Sequence, residues 1–136
     1  MRRIVGTHSA EYWLDLARYD LRAAKAMLDA RQRLYVGFLC HLAIEKTLKA
    51  YWAQSKTAAP PFTHDLSLLA ERTGILEEMD ERAVGVLDFL EPLHIEGRYP
   101  TEKARLLRVL TQNRCEWLMK ETRRLHKWIK DKLSEK

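Results

Sequence analysis

Apolar residues recur at intervals of three and four through almost the whole chain, the spacing that lines one face of an α-helix. Ser9 is placed as an N-cap with Glu11 in the first turn. Trp13, Leu16, Ala17, Ala24 and Met27 then share one face until the polar run RQR at 31–33. A second helix is expected from Leu34 to about Ser55. Its first half, LYVGFLCHLAI, is apolar nearly all round, as a central helix packed on several sides requires. After the linker KTAAPPF, Thr63 can cap a short third helix carrying Leu66, Leu68 and Leu69 and closed by Gly74. A fourth runs from Ile75 or Met79 to Leu93, with Ala83, Val86, Leu87 and Leu90 facing inward. Thr101 then caps a last helix without Gly or Pro as far as Lys132, whose stripe is Leu107, Leu110, Trp117, Leu118, Leu125, Trp128, Ile129 and Leu133. At 1.5 Å per residue such a helix would be about 45 Å long, more than a domain of this size needs. Its far end is therefore expected to pack against something else, such as a second copy of the chain.

The pattern predicts an all-α fold, an antiparallel up-and-down bundle of four to five helices with a long C-terminal helix, in one domain over residues 1–136. A chain of that length buries roughly two thirds of the surface it exposes when unfolded, enough for a core without a metal or disulfide staple. Cys40 and Cys115 lie inside helical apolar patterns with no partner at metal-ligand spacing and read as small buried hydrophobes in a reducing cytoplasm. No stretch approaches the ~18 apolar residues of a membrane span. The expected protein is soluble and cytoplasmic, with no membrane partner and no cofactor.

Charge changes the picture through its distribution. The net charge is +5, yet residues 101–136 hold 11 Lys and Arg against 5 Asp and Glu, and the first 100 hold 13 against 14. All the positive excess lies on the C-terminal segment, which reads either as a solvated helix face or as a surface for an anionic partner.

Glycine-rich phosphate loops, zincin His–Glu spacing, cysteine clusters and the Gly-x-Ser-x-Gly elbow are all missing from the sequence. What remains is a set of charged residues in unexpected places. Asp20 shares the first helix's apolar face with Trp13 and Ala17, and a buried carboxylate without a partner costs several kcal/mol. The second helix offers Glu45, Lys46 and Lys49 in IEKTLKAYW, with His41 one turn before Glu45. Glu45 and Lys49 alone would make an ordinary i,i+4 pair, and His41 alone a core histidine. His64, in THDL, falls in the first turn of the third helix as a neutral hydrogen-bonding group. The stretch HIEGRYPTEK at 94–103 interrupts the helical pattern: Gly97 permits an unusual turn and Pro100 holds Tyr99 extended. Arg98 then sits near a helix N-terminus, whose amides favour an anion. His94 precedes Arg98 by four residues.

Taken together, Asp20 in helix one, FLCHLAIEKTLKAYW in helix two, THDLSLL in helix three and GRYP before the last helix resemble the HEPN domain family across nearly the whole chain. Glu45, Lys46, Lys49 and Ala50 match its EKxLKA element, and Arg98, Tyr99 and Pro100 its RYP element. The resemblance implies a helical bundle that forms a homodimer, with a cleft for nucleotide or RNA near the dimer seam. It also implies a partner protein, a minimal nucleotidyltransferase, in a pair resembling toxin and antitoxin.

One departure bears on activity. The ribonuclease branch of the family carries an Arg and, four to six residues on, a His near the start of the last helix. Here Lys103, Ala104 and Arg105 follow Arg98 at that distance, and the spacing occurs only ahead of His8 at the N-terminus, as from Arg3. Metal-independent RNA cleavage needs a proton acceptor for the 2′-hydroxyl, so the sequence assigns no catalytic residue. The expected protein is a non-catalytic module in which Arg98, Tyr99, Lys46, Lys49 and His64 bind a phosphate-bearing ligand, supported by Asp20, Glu45, His41 and His94. Two alternatives remain: a ribonuclease toxin using His64 or His94 as base, and a purely structural module binding a protein through a seam at Trp117, Leu125 and Trp128.

Overall fold

The computed structural model describes residues 8–56, 58–94 and 100–134. They form six α-helices: α1 (Ala10–Asp29), α2 (Arg33–Ser55), α3 (Leu66–Thr73), α4 (Glu81–Leu90), α5 (Pro100–Val109) and α6 (Gln112–Ser134). Among the described residues there is no strand.

Ser9 caps α1, its Oγ accepting from the Tyr12 amide at 3.1 Å. The turn into α2 is only a few residues long and passes through Arg31 at φ 61°, a left-handed conformation in a side-chain-bearing residue. So short a connection lays α1 and α2 antiparallel along each other. α2 is the central element. Its buried residues include Val36, Cys40, Ala43, Ile44 and Leu48 on several faces, and α1, α3 and α6 all pack against it. On α1 the buried stripe is Leu14, Ala17, Asp20, Leu21 and Ala24, so Leu14 and Leu21 take inner places expected for Trp13 and Leu16, which are only partly covered. Cys40 and Cys115 are free thiols in the core.

Three boundaries depart from the sequence pattern. Asp65, rather than Thr63, caps α3 by accepting from the Leu68 amide at 3.0 Å, and His64 therefore precedes that helix instead of sitting in its first turn. The fourth helix is three pieces. A 3-10 turn at Ile75–Glu78 follows Gly74 (φ 85°), Asp80 caps α4 through the Ala83 amide, and a second 3-10 turn runs Glu91–His94, where Pro92 has no amide to continue an α-ladder.

The long last helix is divided. α5 begins at Pro100, so Thr101 lies inside its first turn, and the helix ends at Val109. Thr111 then starts α6 by accepting from the Arg114 amide at 3.1 Å. Arg33, at the start of α2, donates from Nη1 to the carbonyls of Leu107 (3.0 Å) and Leu110 (2.7 Å) and so closes the end of α5. The free-standing 45 Å rod is thereby replaced by a helix of 23 residues, about 35 Å, that packs on α2 and α1. Its buried face is Cys115, Leu118, Met119, Thr122, Leu125, His126, Ile129 and Leu133. Leu125 is therefore buried, whereas Trp117 remains exposed and stands edge-on to Phe89 with ring centroids 5.4 Å apart.

Leu69 is completely buried and Phe62 completely exposed. Leu69→Ala should cost about 2–5 kcal/mol in urea unfolding, whereas Phe62→Ala should change stability by less than about 0.5 kcal/mol. Equal effects would contradict this placement of the core.

Candidate functional site

The second half of α2 carries four consecutive-turn polar residues into the interior: His41, Glu45, Lys46 and Lys49. Glu45 is buried, and its Oε2 accepts from Lys49 Nζ at 3.0 Å while its Oε1 accepts from His64 Nδ1 at 2.8 Å. Because a carboxylate can only accept, His64 donates from Nδ1, which leaves Nε2 for another partner. Lys49 is buried too, and its ammonium lies 5.5 Å from the centroid of the Trp13 ring. Among the described residues it makes one hydrogen bond, although an ammonium has three donors. Next to this pair, Lys46 Nζ donates to Asp20 Oδ2 at 2.8 Å, answering the carboxylate on the inner face of α1. The Asp20–Lys46 pair joins α1 to α2, and the Glu45–Lys49 pair lies within α2 and is tied by His64 to the segment before α3.

Three imidazoles border the pairs. His64 stacks on His94, with centroids 3.6 Å apart and planes inclined by 25°, and His94 lies 5.3 Å from His41. His64 has 49% of its side chain exposed, so it forms the solvent side of the cluster, whereas His41 is wholly enclosed. His41 Nδ1 is 3.8 Å from Glu45 Oε1, and neither of its ring nitrogens completes a hydrogen bond. Burial pushes its pKa down to about 4, with Glu45 and the His64 backbone pulling the other way and His94 and His64 adding to the decrease. Among the described residues no three His, Cys, Asp or Glu side chains are arranged to hold a metal ion.

Of the residues singled out in the sequence, His41, Glu45, Lys49, His64 and His94 thus lie in one cluster, and Asp20 and Lys46 form a separate ion pair between α1 and α2. Arg98 and Tyr99 lie outside the described residues. Trp13 was legible as an inner-face residue of α1, two turns before Asp20, but not as the ring that covers Lys49. His126 was overlooked. It is buried on α6 and donates from Nδ1 to Thr47 Oγ1 at 2.8 Å, because the Thr47 hydroxyl already donates to the Ala43 carbonyl. Burial, then Lys130 and Arg18, push its pKa down to about 4. Only its position among the apolar residues of the last helix could have marked it.

Residues 10–132 match the HEPN domain family. The chain belongs to that family. The HEPN fold is also seen in a solved relative, the crystal structure of TT1696 from Thermus thermophilus, with a TM-score of 0.75, 23% identity, and coverage of 90% of this chain and 97% of that one. No curated protein sequence matches this HEPN chain. Among the described residues of the domain, no helix is long and apolar enough to cross a membrane.

The two buried histidines set a pH dependence. Each is neutral in the folded protein down to about pH 4, whereas in the unfolded chain it takes up a proton near 6.5. Between those values the unfolded state binds more protons, so their contribution is complete above pH 6.5 and is lost as pH falls toward 4. The unfolding free energy from urea titration should fall across that window, by up to roughly 1.4 kcal/mol per pH unit for each histidine. His41→Gln with His126→Gln should flatten the profile.

Proposed function

We propose that this HEPN domain is a dimeric module that binds the phosphate of a nucleotide or RNA, and that it works beside a minimal nucleotidyltransferase in a toxin–antitoxin-like pair. The observation that carries the reading is the placement of Lys46 and Lys49, held by Asp20 and Glu45 from α1 and α2. Each ammonium is fixed by a carboxylate and retains donors for a further acceptor. The same pairing offsets each positive charge, so these two lysines alone attract an anion weakly. On this reading the surplus charge is assigned to Arg98 of the RYP element, together with Tyr99, from the sequence resemblance, and His64 supplies a half-exposed hydrogen-bonding ring. A guanidinium is suited to this, since it presents a planar fork to phosphate oxygens.

Fluorescently labelled ATP and a short single-stranded RNA, titrated into wild type and Arg98→Ala, test the reading. The substitution should weaken binding at least about tenfold, equivalent to roughly 1.4 kcal/mol. Equal affinity in the two proteins, or none in either, removes it.

One observation favours a second reading, a metal-independent endoribonuclease. Glu45 holds the Nδ1 side of half-exposed His64, and a carboxylate that fixes an imidazole in this way prepares its other nitrogen to accept a proton. On that reading His64→Ala abolishes RNA cleavage and relieves growth inhibition on expression. RNA left intact by the wild-type protein rejects it.

A further inference from the structure

A second cluster of cations lies at the other end of α2. Arg31, Arg33 and Lys103 line a cavity of about 350 Å3 with Leu34, Tyr35 and Leu107. That volume falls within the range of small-molecule sites, roughly 300–1,000 Å3. The cavity between α4 and α6 is smaller, about 110 Å3, and the Arg82–Glu121 pair on its wall is satisfied within itself.

The decisive difference from the Lys46–Lys49 group is the absence of counter-charge. Among the described residues no carboxylate lies within 4.0 Å of Arg31, Arg33 or Lys103. The acids nearest in sequence are occupied: Asp29 is held by Lys25 at 2.8 Å, and Glu102 is bonded to Arg105. Arg33 is also fixed in place. Its Nη1 is committed to the Leu107 and Leu110 carbonyls, which immobilises the guanidinium and leaves the donors on Nε and Nη2 outside those bonds. Three uncompensated cations around a concave space select an anion, and a planar guanidinium selects a phosphate or carboxylate. Gln32, half-exposed Tyr35 and the two leucines make the remainder of the wall, and an aromatic ring beside apolar side chains suits a flat ring rather than a bare ion.

We propose that this cavity is a separate binding site for a nucleoside phosphate, with Arg31, Arg33 and Lys103 on the phosphate and Tyr35 against the base. It is independent of the function proposed above. Arg33 precedes Lys46 by 13 positions on α2, about 20 Å along the helix.

Calorimetric titration of the full-length protein with AMP tests it. Arg33 also closes α5, so the informative variants are Lys103→Gln and Arg31→Gly. The latter removes a cation at a left-handed position that glycine adopts without strain, and its thermal midpoint should be unchanged or higher. Each variant should weaken AMP binding roughly tenfold or more, while Phe62→Ala, fully exposed and outside the cavity lining, leaves it unchanged. Absence of AMP binding, or affinity unaffected by both variants, overturns the proposal. So does loss of AMP binding in Arg98→Ala alone, which would locate the nucleotide in the first site. Inorganic phosphate binding as tightly as AMP would overturn the assigned ligand class. An RNA carrying a 5′-phosphate presents the same group. If it displaces AMP and its 5′-hydroxyl form does not, the site takes a chain end; if neither does, it takes the free nucleotide.

Discussion

A carboxylate at the depth of Glu45 is tolerable only if donors meet both of its oxygens, and the centre of the bundle is arranged around that requirement. Lys49 meets one oxygen from the next turn of the same helix, and His64 meets the other from the segment before α3. The cost of removing one partner would be the desolvation of whatever remains, since Lys49 is itself buried under Trp13. Asp20 and Lys46 repeat the arrangement one step away. Polar residues therefore join α1, α2 and the approach to α3, where an apolar core would join them less specifically.

The same arrangement separates two kinds of cation. Lys46 and Lys49 are set firmly, each with its own carboxylate, and so are geometrically ready but electrostatically subdued. Arg31, Arg33 and Lys103 lie where no acid among the described residues answers them, at a corner made by a three-residue turn and the body of α5. The C-terminal excess of positive charge seen in the sequence contributes little to the first group and one residue, Lys103, to the second. Most of it is on α6, where Lys120, Arg123, Arg124, Lys127 and Lys130 are exposed.

The helical class and the central role of α2 were legible because its apolar residues cover several faces, a pattern that only a surrounded helix can satisfy. Asp20 was legible as a buried acid for the same reason: it shares a stripe with Trp13 and Ala17. Its partner was not, since Lys46 and Lys49 are both within plausible reach and choosing between them requires the registration of two helices. The division between α5 and α6 was hidden from local signals. Thr111 is an unremarkable residue until its side chain takes an amide, and the other half of the stop comes from Arg33, far away in the chain. The histidine stack was equally hidden, because His41, His64 and His94 reach one another only through tertiary packing.

That remote stop carries an implication for how the chain acquires its shape. Residues 102–132 contain no glycine or proline, so the local signal for the break after Leu110 is the Thr111 cap. Without Arg33 on the Leu107 and Leu110 carbonyls, that one cap would have to hold the break alone in a stretch otherwise suited to a continuous rod. The break is thus shared between a cap inside the segment that displays it and a cation borrowed from a distant turn.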